Sequence, residues 1–500
     1  MKNKKLIKTI IISLMQQVVI IICGFILPKE IIEAYGSSTN GLINSITQFL
    51  TYISIVEAGV GAVVKYLLYK PIAERNKNDI EKILISAQSF YRKIALIFLV
   101  YIITLCIIYP QIVSNDYDIN FTRRLIVIIA ISSFMEYFTG VIYALFLQAN
   151  QQKYIISIIQ TISLILNTIV TILLIKMGYS IIIVEIVSSC IFVIRPIIQK
   201  IYVEKKYKIK VTKCVGKYVI KQKRDAFAHQ LAYVVHNTTD VFLITFFLGT
   251  LQVSVYMIYR LVVEGIKKFV RTIMSGVDDF FGNIFAKEEY EEMNRKFTMY
   301  EFIYFTIITI LYNLCLVLII PFVSIYTKGI VDTNYYQPIF AIILTLSEFI
   351  WAIRYPVNEL INAVGHFKQT KNMALLEAGI NLVISIVLVN KLGLIGVAIG
   401  TFAAMLIRGI YMIYYFSKNI LKRSIKIDLK FIVIIIIETI ILTAIGLICN
   451  GKIVLNNYIE WVLFASIYGI ITTTFVISIN IILNKKLSKE MFNYLKEKMQ

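Results

Sequence analysis

The stretch of sequence that decides the fold is Gln252–Asn283, QVSVYMIYRLVVEGIKKFVRTIMSGVDDFFGN, in which charged residues lie among apolar ones. Residues separated by steps of three and four share one face of a helix. Such steps connect Arg260, Glu264, Lys267, Arg271, Ser275 and Asp278, and Lys268 lies beside them. A charge at the centre of a bilayer costs roughly 2.5–3.5 kcal/mol. The pattern therefore predicts a membrane helix whose charged face lines a water-filled cavity rather than lipid.

The preceding segment, Asp225–Leu248, carries a second polar face. The residues at helical spacing in it are Asp225, His229, Tyr233, His236 and Asp240. Because neither polar face is stable against lipid, we expect the remaining segments to build the walls of this cavity.

The rest of the sequence is that of a membrane protein. It has 500 residues, of which 58% are hydrophobic and 16% charged, and it contains apolar runs such as Phe431–Ile437. Its mean hydropathy is +0.76. Segments of about twenty apolar residues recur along the whole length, which predicts an all-α polytopic membrane protein with about fourteen transmembrane helices. The predicted spans are 6–27, 40–67, 93–110, 123–148, 154–176, 179–199, 226–248, 252–282, 299–325, 336–360, 372–390, 393–416, 430–449 and 457–483.

The basic residues are concentrated in some of the loops between the predicted spans. The net charge of +21 would suit a nucleic-acid partner, but Lys and Arg concentrate in alternate loops, and Lys200–Arg224 alone holds ten of them against one Glu. This asymmetry is the positive-inside pattern, which argues against nucleic acid and predicts a multi-pass protein of the cytoplasmic membrane with both termini in the cytoplasm. The loop segment Asp79–Lys93 is predicted to be an interfacial helix, and the tail from 484 to 500 is predicted to lie on anionic lipid.

The two halves of the chain resemble each other at an offset of roughly 214 residues. The matching pairs are Asn167 with Asn381, Lys176 with Lys391, Gly178 with Gly393, Arg195 with Arg408, and Glu136 with Glu348. The order of these pairs predicts two six-helix lobes, 1–213 and 214–427, followed by two further helices in 428–483 and the basic cytoplasmic tail. Two such lobes with facing polar surfaces are typical of alternating access.

Short motifs resemble those of the bacterial oligosaccharide flippases, which belong to the multidrug/oligosaccharidyl-lipid/polysaccharide exporter superfamily. The motifs of the first half are Tyr35-Gly36-Ser37, Asn40-Gly41-Leu42, Glu57-Ala58-Gly59-Val60-Gly61 and Tyr69-Lys70-Pro71; those of the second are Thr239-Asp240, Phe247-Leu248-Gly249, Tyr256 and Tyr259. The resemblance covers essentially the whole chain. It implies a flippase that moves undecaprenyl-diphosphate-linked oligosaccharide repeat units from the inner to the outer leaflet for surface polysaccharide assembly.

Two sets of charged residues inside the predicted spans are candidate site residues. Cations that would suit a diphosphate are Arg260, Lys267, Lys268, Arg271, Arg354 and Arg408. Candidates for charge pairing or for coupling to a proton or sodium ion are Glu57, Glu136, Asp240, Glu264, Glu348, His229 and His236. A purely structural alternative stays open for each, because a buried ion pair, a hydrogen bond or an inner-leaflet anchor needs the same residue types.

The sequence also bears on several alternative functions. The six cysteines and three histidines have no paired or metal-ligand spacing, and no nucleotide-binding motif is present, so neither a metal nor a cofactor is predicted. A drug/cation antiporter or a peptidoglycan-precursor flippase of the same superfamily is the alternative transport function. A membrane glycan polymerase or glycosyltransferase would need a substantial loop, and the outer loops are short, so we predict that the chain is not an enzyme. The expected partners are the lipid-linked glycan, membrane lipid and polysaccharide assembly enzymes.

Overall fold

The chain is described from a computed structural model, which covers residues 2–57, 59–209, 211, 234, 238–274, 281, 284, 290–450 and 455–499. All regular secondary structure in these ranges is helical, as the sequence predicts. The packing divides the chain into two compact units, Met1–Met257 and Ile258–Gln500. This boundary falls inside a helix, and the division into lobes at 213 and 427 stays a prediction.

The helices of the first unit are α1 Lys2–Tyr35, α2 Ser37–Leu50, α3 Ser54–Glu57, α4 Val60–Ala73, α5 Lys77–Ile112, α6 Ile119–Met135, α7 Val141–Ala149, α8 Lys153–Lys176, α9 Ile181–Tyr207 and α10 Thr238–Leu248. Helix α11, Thr250–Met274, crosses the boundary. The second unit continues with α12 Tyr290–Tyr326, α13 Pro338–Ala363, α14 Phe367–Leu392, α15 Leu394–Asn419, α16 Lys426–Asn450, α17 Tyr458–Leu483 and α18 Lys485–Met499.

Every predicted span corresponds to helix in the described part of the chain. There, 11 helices are long and apolar enough to cross a membrane, and α2–α4, which are bent by 52° at a break, make a twelfth if they are counted as one span. The bend lies at Gly59, whose φ of 78° is a backbone conformation that glycine adopts without strain. Helix α10 is a short apolar helix, and α11 carries the charged face that lowers its hydropathy.

The prediction of an interfacial helix at Asp79–Lys93 is wrong. This segment is the first part of α5, which continues unbroken from Lys77 to Ile112. Its apolar side, which includes Ile83, Leu84 and Tyr91, is buried in the core of the first unit. The helix-period pattern was therefore right, but the apolar face packs against protein instead of lying free on the membrane surface.

Helix α2 packs tightly against the beginning of α11 within the first unit. Asn40 donates to the hydroxyl of Ser254 at 2.8 Å, and the hydroxyls of Ser38 and Thr250 are 2.6 Å apart. A Cβ atom at Gly41 would lie 1.7 Å from the carbonyl oxygen of Thr250, so only glycine allows this approach.

A buried arginine joins elements of the second unit. Arg423, in the loop after α15, donates to Glu301 of α12 at 2.7 and 2.9 Å and also pairs with Asp428 of α16. Burial alone would lower the pKa of Arg423, but the two carboxylates raise it above its usual value. The tail helix α18 packs Leu487 and Met491 against a hydrophobic core of the same unit, and its position on lipid stays a prediction.

Candidate functional site

The cations of α11 meet carboxylates and an indole ring from α13. Lys267 is 2% exposed, and its Nζ lies 2.9 Å from Oε2 of Glu348 and 3.4 Å from Oε1 of Glu264. Glu264 and Lys267 share a helix face at i,i+3, so their contact follows from spacing alone. Two carboxylates around one ammonium group neutralise it locally, which accounts for its burial.

The indole ring of Trp351 in α13 makes cation–π contacts with two of these cations. Lys267 Nζ is 4.8 Å from the centre of the indole ring, and the guanidinium of Arg271 is 5.2 Å from it. The negative face of an aromatic ring attracts cations at this range. Arg271 is half-buried and makes no ion pair with another described residue, so the ring is what holds its position.

A second cluster connects three helices of the second unit. Arg354 of α13 donates to Glu377 of α14 at 2.6 Å, and Arg408 of α15 pairs with the other oxygen of the same carboxylate. Arg354 and Glu377 are each 2% exposed. Their burial requires the charges to be paired, because an isolated charge in such a place is very costly. Arg354 and Arg408 are thus brought together by a residue that the sequence analysis did not select.

The two clusters contain more positive than negative charge. Their described contacts bring together the four cations Lys267, Arg271, Arg354 and Arg408 and the three carboxylates Glu264, Glu348 and Glu377. Glu264 is within electrostatic range of Arg260, Lys268 and Arg271 as well as Lys267. The side chain of Lys268 forms no ion pair or hydrogen bond among the described residues. The arrangement can therefore accept an anion without first losing an internal salt bridge.

The carboxylates of the first unit line a cavity. It has a volume of about 600 Å³, and Glu57, Glu136 and Glu185 are all in its wall. Glu57 accepts a hydrogen bond from Tyr91 at 2.9 Å. Glu136 begins a π-helical turn, Glu136–Gly140, and lies within electrostatic range of Arg195. Turns of this kind interrupt helices frequently at functional sites.

Glu185 of α9 was not selected from the sequence. The available signal was a single carboxylate in the otherwise apolar span 179–199. The same signal would have found Glu377 in the span 372–390. Lone carboxylates in apolar spans are candidate functional residues by default.

The remaining candidates are placed as follows. Asp240 is 5% exposed and accepts a hydrogen bond from Tyr256 at 3.0 Å. His229 and His236 lie outside the described residues, as do Asp225, Tyr233, Ser275 and Asp278. Among the described residues, no group of three or more His, Cys, Asp or Glu side chains could hold a metal ion.

The fold has counterparts among solved structures, whereas no protein-family model and no curated protein matches the sequence. A structure described as "Lipid II flippase MurJ, inward closed conformation" aligns with a TM-score of 0.68 at 16% identity, over 95% of this chain and 99% of that one. The chain shares this fold.

Two MATE transporters have the same architecture. An inward-facing multidrug resistance MATE family transporter of the MOP superfamily aligns with a TM-score of 0.54 at 12% identity, over 81% of this chain and 95% of that one. A mutant of the Vibrio cholerae MATE transporter VcmN aligns with a TM-score of 0.54 at 13% identity, over 84% and 98%. Flippases and drug transporters thus both use this architecture, so the substrate has to be argued from the site.

Proposed function

We propose that the chain is a flippase that moves undecaprenyl-diphosphate-linked oligosaccharide repeat units from the inner to the outer leaflet by alternating access. The observation that carries this proposal is the excess of cations around α11. Lys268 and Arg271 have no carboxylate at ion-pair distance among the described residues, and Lys267 and Trp351 lie beside Arg271. A diphosphate group is the anion that such a cluster suits, because arginine contacts phosphate through two parallel hydrogen bonds and lysine as a point charge.

The buried cations have a different role in this proposal. Lys267, Arg354 and Arg408 are already paired with carboxylates, so their role is to fix the positions of α11 and α13–α15. The headgroup contacts are assigned to Arg271 and Lys268, with Arg260 on the same helix face. The glycan would cross in water while the polyprenyl chain stays in lipid.

The decisive experiment is to delete the chain and to measure the outward exposure of the lipid-linked oligosaccharide on sealed spheroplasts with a membrane-impermeant glycan reagent. We expect the oligosaccharide to accumulate on the inner side and to be exposed again when the wild-type chain is supplied. Normal exposure in the absence of any other flippase would reject the proposal.

The contact residues are tested in the same assay. We expect Arg271→Gln combined with Lys268→Gln to reduce outward exposure at least about tenfold, because charge-assisted contacts to phosphate are lost. The control is Lys70→Gln, since that lysine lies on the surface with 84% of its side chain exposed. Full exposure by the double variant, at equal protein level, would remove these two residues from the site.

A peptidoglycan-precursor flippase is the second candidate. It is favoured by the alignment to the lipid II flippase, whose coverage of both chains is nearly complete. Its substrate also carries a lipid diphosphate, so the same cations would serve. The two are separated by growth: loss of a sole precursor flippase stops cell-wall synthesis, whereas loss of a repeat-unit flippase removes surface polysaccharide.

The drug/cation antiporter is favoured only by the acidic wall of the first-unit cavity. It predicts altered drug sensitivity on deletion with surface glycan intact.

A further inference from the structure

Two arginines of the second unit share a single carboxylate, so their cluster carries one positive charge in excess. Arg354 and Arg408 both pair with Glu377. The exposed fractions of these side chains are 3% for Arg354, 17% for Arg408 and 1% for Glu377. A buried charge without compensation is costly, because the protein interior screens it far less than water does. A further negative group at this place would remove that cost.

Three guanidinium N–H groups of the cluster have no acceptor among the described residues. They are Nε and Nη1 of Arg354 and Nε of Arg408, and all three atoms are buried. Guanidinium nitrogens only donate, so a group that satisfies them has to accept hydrogen bonds. Buried polar atoms are normally satisfied by protein, by ordered water or by an ion. A water would accept these hydrogen bonds but leave the excess charge, whereas an anion removes both costs.

The carboxylates of the neighbouring cluster are engaged with a different cation. Glu348 is within electrostatic range of Arg354, but its Oε2 lies 2.9 Å from Nζ of Lys267. Glu264 also contacts Lys267, at 3.4 Å. In the part of the chain that the structure describes, neither carboxylate forms an ion pair with Arg354 or Arg408. The excess charge of the arginine pair is therefore not removed by a second carboxylate.

A buried arginine elsewhere in the same unit has the opposite ratio of charges. Arg423 contacts two carboxylates, those of Glu301 and Asp428, and donates to the hydroxyl of Thr298 at 3.0 Å. One guanidinium between two carboxylates needs no further anion. Because the unit compensates this buried arginine fully, the shortage of negative charge is particular to the cluster at Glu377.

The internal repeat indicates that the architecture does not require this cluster. The residues of the first half that correspond to Arg354, Glu377 and Arg408, at offsets of 212, 214 and 213, are Ile142, Ser163 and Arg195. The first half thus has one arginine where the second half has two arginines and a carboxylate. The guanidinium of Arg195 lies 4.0 Å from the ring centre of Phe192 and within electrostatic range of Glu136. The excess charge is therefore a feature of the second unit.

We propose that Arg354 and Arg408 together bind a small monovalent anion, such as chloride, through these three N–H groups. One negative charge balances the cluster, whereas a divalent anion would leave it negative. Hydrogen bonds from a guanidinium to an anion are charge-assisted and stronger than neutral ones. The ion enters beside Arg408, whose side chain is the most exposed of the three. It neutralises the contact among α13, α14 and α15, and its binding needs no transported substrate.

The test is thermal unfolding of the purified full-length chain in an uncharged detergent, with sodium gluconate replaced stepwise by sodium chloride at constant ionic strength. We expect the unfolding temperature to rise and to saturate with chloride, because an ion that binds only the folded chain stabilises it. Bromide and nitrate should replace chloride. Arg408→Gln leaves Arg354 and Glu377 as a neutral pair, so the chloride dependence should disappear in this variant.

Matched variants separate this site from other arginines and lysines of the chain. Arg124→Gln, the same change at an exposed arginine of α6, should keep the full chloride response. The double variant Lys268→Gln with Arg271→Gln lacks the proposed headgroup contacts and should also respond as the wild type does. Arg408→Lys keeps the charge but loses the planar guanidinium, so chloride should still bind, with an affinity about tenfold lower.

The outcomes that overturn the proposal are specific. A wild type without saturable stabilisation by chloride would contradict it, and so would a chloride response that survives in Arg408→Gln, which would place the ion elsewhere. If Arg408→Gln does not fold, Arg408→Lys decides, because an affinity equal to that of the wild type would show that the guanidinium does not contact the ion. No substrate is present in this assay, so its result stands apart from that of the export assay above.

Discussion

Glu377 is the carboxylate that pairs with both the buried Arg354 and the half-buried Arg408. It is 1% exposed at its side chain and pairs with both Arg354 and Arg408. Glu377→Gln keeps the shape but leaves two cations in the interior without their carboxylate, so we expect the free energy of unfolding to fall by about 3–5 kcal/mol. The measurement is thermal unfolding in detergent by circular dichroism. Glu33→Gln, which breaks an exposed pair 3.8 Å from Lys29, should change it by less than about 1 kcal/mol. Equal unfolding curves for the two variants would contradict the assignment.

At the same scale, the sequence identified which residues are charged inside the spans but not how they pair. The contact of Glu264 with Lys267 follows from helical spacing. The contact of Lys267 with Glu348 joins α11 to α13, and that of Arg354 with Glu377 joins α13 to α14. Such contacts depend on the rotation of each helix about its own axis, which a hydropathy pattern does not fix. The roles of the candidate residues in transport therefore stay predictions.

At the scale of the helices, the close packing of α2 against α11 requires glycine, which has no side chain, at position 41. A Cβ atom at Gly41 would lie 1.7 Å from the Thr250 carbonyl oxygen, which is backbone and cannot rotate away. We expect Gly41→Ala to lower the free energy of unfolding by about 1–3 kcal/mol, as overpacking does. The control is Gly379→Ala in α14, because a Cβ there meets nothing within 4 Å. That change should be neutral or stabilising by about 0.5–1 kcal/mol. A Gly41→Ala variant as stable as Gly379→Ala would show that the two helices can separate without cost.

Most helices were predictable because long apolar segments have few alternatives in a membrane. The sequence analysis did not predict the full length of α5 or the π-helical turn. The segment Asp79–Lys93 was separated from its span because its charged residues lower the local hydropathy, yet its backbone continues into α5. The glycines of 57–61 allow either a close helix approach or a bend, and the structure has a bend of 52° there, with Gly59 at a φ of 78°. The π-helical turn at Glu136 has no comparable sequence signal.

For the whole molecule, related positions of the two units carry the same residue in different electrostatic surroundings. Glu136 and Glu348 correspond in the repeat, but Glu348 pairs with a lysine inside a basic cluster whereas Glu136 lines an acidic cavity. A duplication alone would predict two equal sites. The two related carboxylates therefore have different surroundings, which a duplication by itself does not explain.

The last prediction follows from the proposed function. Export of an anion moves charge in the direction that an inside-negative potential favours. A headgroup with two negative charges gains at most about 4–5 kcal/mol per 100 mV. We therefore expect outward exposure of the lipid-linked oligosaccharide in sealed spheroplasts to slow when valinomycin and external potassium clamp the potential to zero, and to recover when external potassium is lowered. A rate that is independent of the clamped potential would mean that the substrate charge is compensated as it crosses, and it would exclude potential-driven export.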